Sequence, residues 1–224
     1  MRTTSLPGTA REHVGIRTFG YVFVPPTLVV LAVGVVSVAT GHPVATFTME
    51  PTTALGGAPY VGAVSSLGCY GWAAAIGIFL LGACLLYDGM RRRDAAFLAC
   101  SALITGYLLA DDAFTLHEAV LPAVGIPEFV TYLAILAVIG AYAAAFHAEI
   151  RRSAWLFLGL AVLLLGGSVA VDAAWEILEP ARGANIEQLA EDAAKLLGIS
   201  SWVGYAALSV RGLVRARFAG TGGR

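Results

Sequence analysis

The 224-residue chain has one lysine, three cysteines and only 13 % charged residues. That is too little charge for the solvated surface of tandem soluble domains, and no nucleic-acid partner is expected. Cys69, Cys84 and Cys100 are odd in number, sit inside apolar blocks and show no CxxC or Cys/His spacing. They are therefore poorly placed for a disulfide framework or a thiolate metal centre, and small packing residues are expected instead. HExxH and HxxxH spacings are missing. No two of the four histidines fall inside facing spans at one depth, so haem is not expected.

Apolar sequence fills the rest. Hydrophobic residues make up 58 % of the chain, mean hydropathy is +0.78, and the apolar residues fall into long blocks. Each block is near the roughly 20 residues a helix needs to cross ~30 Å of hydrocarbon. Six spans are expected: Tyr21–Thr40, Tyr60–Tyr87, Ala95 to near His117, Phe129–Ile150, Ala154 to near Leu178, and near Gln188 to Val210. The Pro/Gly/Thr-rich stretch His42–Pro59 reads as a loop. Pro122, Gly125 and Pro127 end the third span, Pro180 ends the fifth, and a polar connector spans Ala181–Glu187. The first span lacks a small-x-small cleavage site, which argues against a signal peptide. The expected fold is an all-α integral membrane protein, a six-transmembrane-helix bundle over 20–210. A polar tail (1–19) precedes it and a basic tail (211–224) follows.

Orientation comes from the arginines. Those at 2, 11, 17, 91–93, 151, 152, 211, 215, 217 and 224 fall on one side of a six-span arrangement, 12 of the 14 basic residues. The positive-inside rule makes that side cytoplasmic, with both termini in, in a cell inner (plasma) membrane. Glu50, Asp111, Asp112, Glu118, Glu128, Asp172, Glu176, Glu179, Glu187, Glu191 and Asp192 fall at the other ends, 11 of the 15 acids.

Depth sharpens that segregation. At 1.5 Å per residue, Asp111 and Asp112 lie roughly 23 Å from the cytoplasmic end of the third span and Asp172 roughly 27 Å along the fifth. Lys195 and Asp192 lie roughly 23 and 27 Å back from the end of the last helix. Three helices thus bring ionisable groups to one level, where charge in hydrocarbon requires a partner or a cavity. Ser168, Asp172, Glu176 and Glu179 share one stripe, and Glu187, Glu191 and Lys195 are spaced by four. In a regular third helix Asp111 and Glu118 share a face, while Asp112 and His117 diverge from it. Lys195 has Glu191 and Asp192 at pairing distance within its own helix, the structural reading of its charge. Surplus acid around one lysine would instead attract a cation or raise a carboxylate's pKa.

Two chemistries suit these residues. Carboxylates with one imidazole suit Zn²⁺, Mn²⁺, Ca²⁺ or Mg²⁺, with Asp111, Asp112, His117 and Asp172 as ligands. Glu191 would then act as base and Lys195 as an anion-holding group, in a hydrolase or transferase working on a membrane lipid or small amphiphile. Trp72, Glu118, Glu176, Asp192 and Trp202 would line the pocket. The same acids suit a cation or proton-coupled transporter or channel, and a membrane assembly or oligomeric role needs no site at all. Gly68, Gly71, Gly82, Gly140, Gly166, Gly167 and Gly198 would allow close helix contact. Glu-Asp-Ala-Ala-Lys195 resembles, over five residues, the acid-plus-lysine pattern in the last helix of microbial rhodopsins, which implies retinal. Against retinal stand six spans rather than seven, a lysine placed high in the membrane and no aromatic box. The paired aspartates resemble the Asp-rich motifs of prenyl-transferring enzymes, but DDxxxxHE lacks their repeat.

Overall fold

The computed structural model describes residues 16–49, 51–58, 60–87, 92–178 and 184–219. Within these, the side chains of 16–22, 25, 172–178, 184–188 and 218–219 lie outside the description. The chain divides into two compact units, Met1–Val61 and Gly62–Arg224. The first contains α1 (Ile16–Thr40) and two single-turn helices, α2 (Ala45–Thr48) and α3 (Pro51–Ala54). Gly41 ends α1 at φ +72°, a conformation open to glycine. The Ser37 hydroxyl then donates to His42 O at 2.6 Å and ties the exit down. The expected loop 42–59 thus carries two short turns of helix.

The second unit holds α4 (Ala63–Tyr87), α5 (Arg92–Phe114), a π-helical turn (Leu116–Val120), α6 (Leu121–Ala123), α7 (Glu128–Ala145), α8 (His147–Arg152), α9 (Trp155–Leu178) and α10 (Ala184–Ala219). The described residues are helical with no strand. Among the described residues, four helices are long and apolar enough to cross a membrane: α4, α5, α7 and the Leu189–Arg217 part of α10. Pro26–Thr40 and Trp155–Val171 are shorter apolar segments among the described residues.

Several boundaries differ from the expected ones. The fourth span is not continuous to Ile150: α7 stops at Ala145, and Phe146 (φ −115°, ψ 22°) breaks the helix. That break turns the Phe146 ring onto Phe97 and Tyr142, with centroids 5.7 and 5.5 Å away. The last helix begins at Ala184, inside the expected connector, and runs nine residues past Val210. Its 36 residues span about 54 Å, well beyond a hydrocarbon core.

The helices meet along a regular seam. Gly68, Trp72, Ala75, Phe79, Gly82 and Leu86 are the buried positions of α4, spaced alternately by four and three. Ile199, Trp202, Ala206, Ser209 and Leu213 repeat the same spacing on α10. A repeat averaging 3.5 residues is the coiled-coil pattern, with knobs from one helix entering holes on the next. α4 packs on α5 and α10, and α10 packs on α9. Aromatic rings link the seam: Trp72 stands edge-on to Trp202 at 6.0 Å and Phe79 edge-on to Tyr205 at 6.1 Å. Ser101, Thr105, Ser168, Ser201 and Ser209 are buried, whereas Leu81, Leu103, Leu133, Leu136 and Leu163 are exposed. Small polar residues inside and leucines outside is the arrangement expected of helices packing within lipid.

Candidate functional site

The site is built where α5 stops. Phe114 ends the helix and Thr115 adopts a left-handed conformation (φ 47°, ψ 48°), uncommon for a β-branched residue. The chain then tightens into a π turn in which the amides of Ala119 and Val120 both donate to Thr115 O. This break carries His117 back over the last turn of α5. Asp111 receives it with both oxygens: Oδ1 accepts the His117 backbone N–H at 3.0 Å, and Oδ2 lies 2.7 Å from Nδ1. An ionised carboxylate there can only accept, so Nδ1 carries a hydrogen and Nε2 is turned away. Glu118 Oε1 lies 3.4 Å from Nε2. The Tyr132 ring is 5.4 Å from the imidazole, and its hydroxyl donates to Glu128 at 3.0 Å.

Asp112 points elsewhere, because successive residues on a helix diverge by about 100°. It faces α10, where Lys195 Nζ stands 2.5 Å from Asp112 Oδ1. The carboxylate is 7 % exposed and the lysine side chain 41 %. Asp112 Oδ2 is buried and has no hydrogen-bond partner among the described residues. A cavity of about 50 Å³ nearby is bounded by Ser65 and Gly68 of α4, Asp112 of α5, and Asp192, Lys195 and Ile199 of α10. Glu191 and Glu118 add negative potential around the Lys195 ammonium. The lysine thus pairs across helices with Asp112 as well as lying near the acids of its own helix.

The expected metal ligands are consequently divided. Asp111 and His117 meet each other, whereas Asp112 faces away from them. Asp172 and Glu176 have side chains outside the described residues. Among the described residues no group of three or more His, Cys, Asp or Glu side chains is placed to hold a metal ion. Asp192 lines the cavity and Glu118 is exposed beside His117. Trp72 and Trp202 are core residues (3 % and 8 % exposed) and do not border that cavity. The Trp202 Nε1–H donates to Thr105 Oγ1 at 3.0 Å, and Thr105 donates in turn to Ser101 O at 2.7 Å.

Sequence reasoning missed a second polar cluster at the opposite end. Glu149, 3 % exposed, accepts from Arg93 Nε at 2.8 Å and from Arg152 Nη2 at 3.3 Å. Arg152 also lies 3.5 Å from buried Asp94, and Arg93 donates to Ala145 O at 2.6 Å. Burial alone would push the Glu149 carboxyl up, but the Arg93 hydrogen bond and the two guanidinium charges hold it below its ordinary value. Asp94 and Glu149 were visible as acids stranded on the arginine side, the signal that could have found them.

Residues 23–208 match the family model described as a domain of unknown function (DUF8692), and the chain belongs to that family. No curated protein and no solved structure matches the sequence.

Proposed function

We propose that this family member is a six-span protein of the cell's inner membrane, both termini cytoplasmic, that couples proton or cation binding at Asp112 to transport. The observation that carries the reading is the Asp112–Lys195 ion pair, which joins α5 to α10 at the bundle's acidic end. Intramembrane ionisable residues pair with each other and mark ion pathways. A proton or cation arriving at Asp112 weakens its hold on Lys195. The ammonium, which also lies in the field of Glu191 and Glu118, is then held less by α5, so occupancy of one carboxylate alters how α10 sits on α5. The test is flux into liposomes containing the purified chain, with a pH-sensitive dye inside. Flux above that of empty vesicles, abolished in Asp112→Asn, supports the reading. Equal flux with and without protein removes it.

The Asp111–His117 contact favours a second reading, a metal-dependent hydrolase or transferase acting on a lipid or small amphiphile. A carboxylate that fixes Nδ1 leaves Nε2 to serve as a base or as a ligand to Zn²⁺ or Mn²⁺. Such an ion would need further ligands, and Asp172 is the candidate. Near-stoichiometric metal in protein purified without added metal, lost in His117→Ala, would favour this reading over transport.

A further inference from the structure

We infer that the arginine end of the second unit is a docking surface for the headgroups of anionic phospholipids, centred on Arg92 and Arg151 and extended by Arg211 and Arg215. The inference rests on the bundle spanning a bilayer, and not on transport.

Charge at this end is sorted by depth. Arg92 and Arg93 open α5, Arg151 and Arg152 close α8, and Arg211 and Arg215 lie near the end of α10, all of them exposed. The acids at this end among the described residues, Asp94 and Glu149, are 6 % and 3 % exposed. Arg93 and Arg152 lie over these two carboxylates and neutralise them. Arg92, Arg151, Arg211 and Arg215 make no hydrogen bond or ion pair with a described residue. No exposed carboxylate among the described residues at this end balances them, so their charge is uncompensated. The positive-inside rule needs only the count of arginines. It does not require both acids to be withdrawn beneath them.

Contacts below the surface hold these charges together. Glu149 Oε1 accepts from Arg93 of α5 and from Arg152 of α8, which ties α8 to the start of α5. The Ala154 N–H donates to Ser209 Oγ at 3.3 Å, which ties the start of α9 to α10 just before Arg211. Neither tie uses the unpaired guanidiniums.

The depth fits a headgroup. Tyr87 at the end of α4 and Trp155 at the start of α9 are 70 % and 56 % exposed at this same end. Exposed Tyr and Trp at the ends of spanning helices sit at headgroup level. Leu156 and Leu160 follow Trp155 and are exposed, as a surface facing acyl chains requires. A guanidinium fork binds two phosphate oxygens side by side, and arginine clusters beside a spanning helix attract anionic lipid. A soluble anion would answer the charge but leave Tyr87 and Trp155 without a role, so the aromatic flank favours the lipid.

The test melts the full chain in a neutral detergent with added short-chain phosphatidylglycerol, short-chain phosphatidylcholine or inorganic phosphate. A ligand that binds only the folded form raises the melting temperature by mass action. The expected result is a saturable rise with phosphatidylglycerol alone, shifted to about tenfold higher lipid concentration in Arg92→Gln/Arg151→Gln. Arg211→Gln/Arg215→Gln should shift it in the same direction, and decides the matter if the first variant does not fold. Without lipid both variants should melt as the wild type does, because none of the four side chains has a partner to lose. An equal rise with phosphatidylcholine or with inorganic phosphate overturns the proposal, as does a lipid response that both variants leave unchanged. A lipid response without flux into liposomes removes the transport reading and leaves the docking surface standing. Release of the chain from cell membranes by alkaline carbonate removes the spanning reading, and this proposal with it.

Discussion

Lys195 and Asp112 form an asymmetric pair: the ammonium is 41 % exposed, while the carboxylate it holds 2.5 Å away is 7 % exposed. Removing each partner should therefore have a different consequence. Lys195→Met leaves a buried negative charge, a change that costs about 3–5 kcal/mol in fully buried pairs. Solvent around Lys195 reduces that here to about 1–3 kcal/mol. Asp112→Asn leaves an ammonium that can turn to water or to neighbouring acids, and should cost less. The double variant should recover at least about 0.5 kcal/mol relative to the sum of the singles. Melting of the four proteins in one detergent measures this cycle, and strict additivity would show that the pair contributes nothing.

The arginine end should give the protein an acid-labile lock. Glu149 has its folded pKa depressed below an ordinary value of 4.5, because the contacts with Arg93 and Arg152 outweigh its burial. A depressed carboxyl contributes stability that is complete above its unfolded pKa and is lost as pH falls through the folded one. On this account the melting temperature should hold steady from neutrality down to about pH 4.5 and fall below it. Glu149→Gln should be less stable at pH 7 and should flatten the acid limb. A variant that keeps the full wild-type acid dependence would assign that limb to other carboxyls.

The sequence made the helices legible and left the seams hidden. Block length and terminating prolines locate α4, α5 and α9 to within a few residues, because hydrocarbon thickness dictates them. Which face of each helix is inside is another matter. α4 is apolar all round, so Trp72 and Phe79 look no different from exposed Leu80 and Leu81 by hydropathy alone. Only the alternation of small and aromatic residues at 68, 72, 75, 79 and 82 marks the seam. Rise per residue put Asp112 and Lys195 at one level, and the two do meet. The local geometry after α5 was not legible, because the face argument assumed an unbroken helix. Thr115 in the left-handed region and the π turn behind it bring His117 to Asp111, which a regular helix would keep apart.

Glycines that look alike in sequence should behave in opposite ways. A Cβ on Gly82 would lie 2.7 Å from Val210 and 2.9 Å from Leu98, both on packed helices. Gly82→Ala should destabilise by about 1–3 kcal/mol through overpacking. Gly140 has nothing within 4 Å of its would-be Cβ. With no clash to offset it, Gly140→Ala should stabilise α7 by up to about 1 kcal/mol through helix propensity. Gly166 and Gly167 belong with Gly140, whereas Gly71 and Gly198 belong with Gly82. Parallel melts of the two alanine variants suffice, and similar shifts for both would contradict the packing of α4 on α10.

Orientation can be tested at two points that the fold separates. Gly125 lies in the turn between α6 and α7, at the end of the bundle that carries the Asp111–His117 contact. Arg151, an exposed residue of α8, sits at the other end beside the Glu149 cluster. Cys69, Cys84 and Cys100 are all free thiols and must first be replaced by alanine or serine. Gly125→Cys and Arg151→Cys, each made singly in that background, would then be exposed on intact cells to a maleimide that cannot cross the membrane. On the proposed orientation, read from the distribution of arginines, the α8 end is inside. The thiol at position 125 should therefore label on intact cells, and the thiol at position 151 only after lysis. The reverse pattern would turn the protein over in the membrane and open the Asp112 cavity toward the cytoplasm. Labelling of both positions on intact cells would mean that α7 does not cross the membrane, because its 18 residues span about 27 Å between those two points.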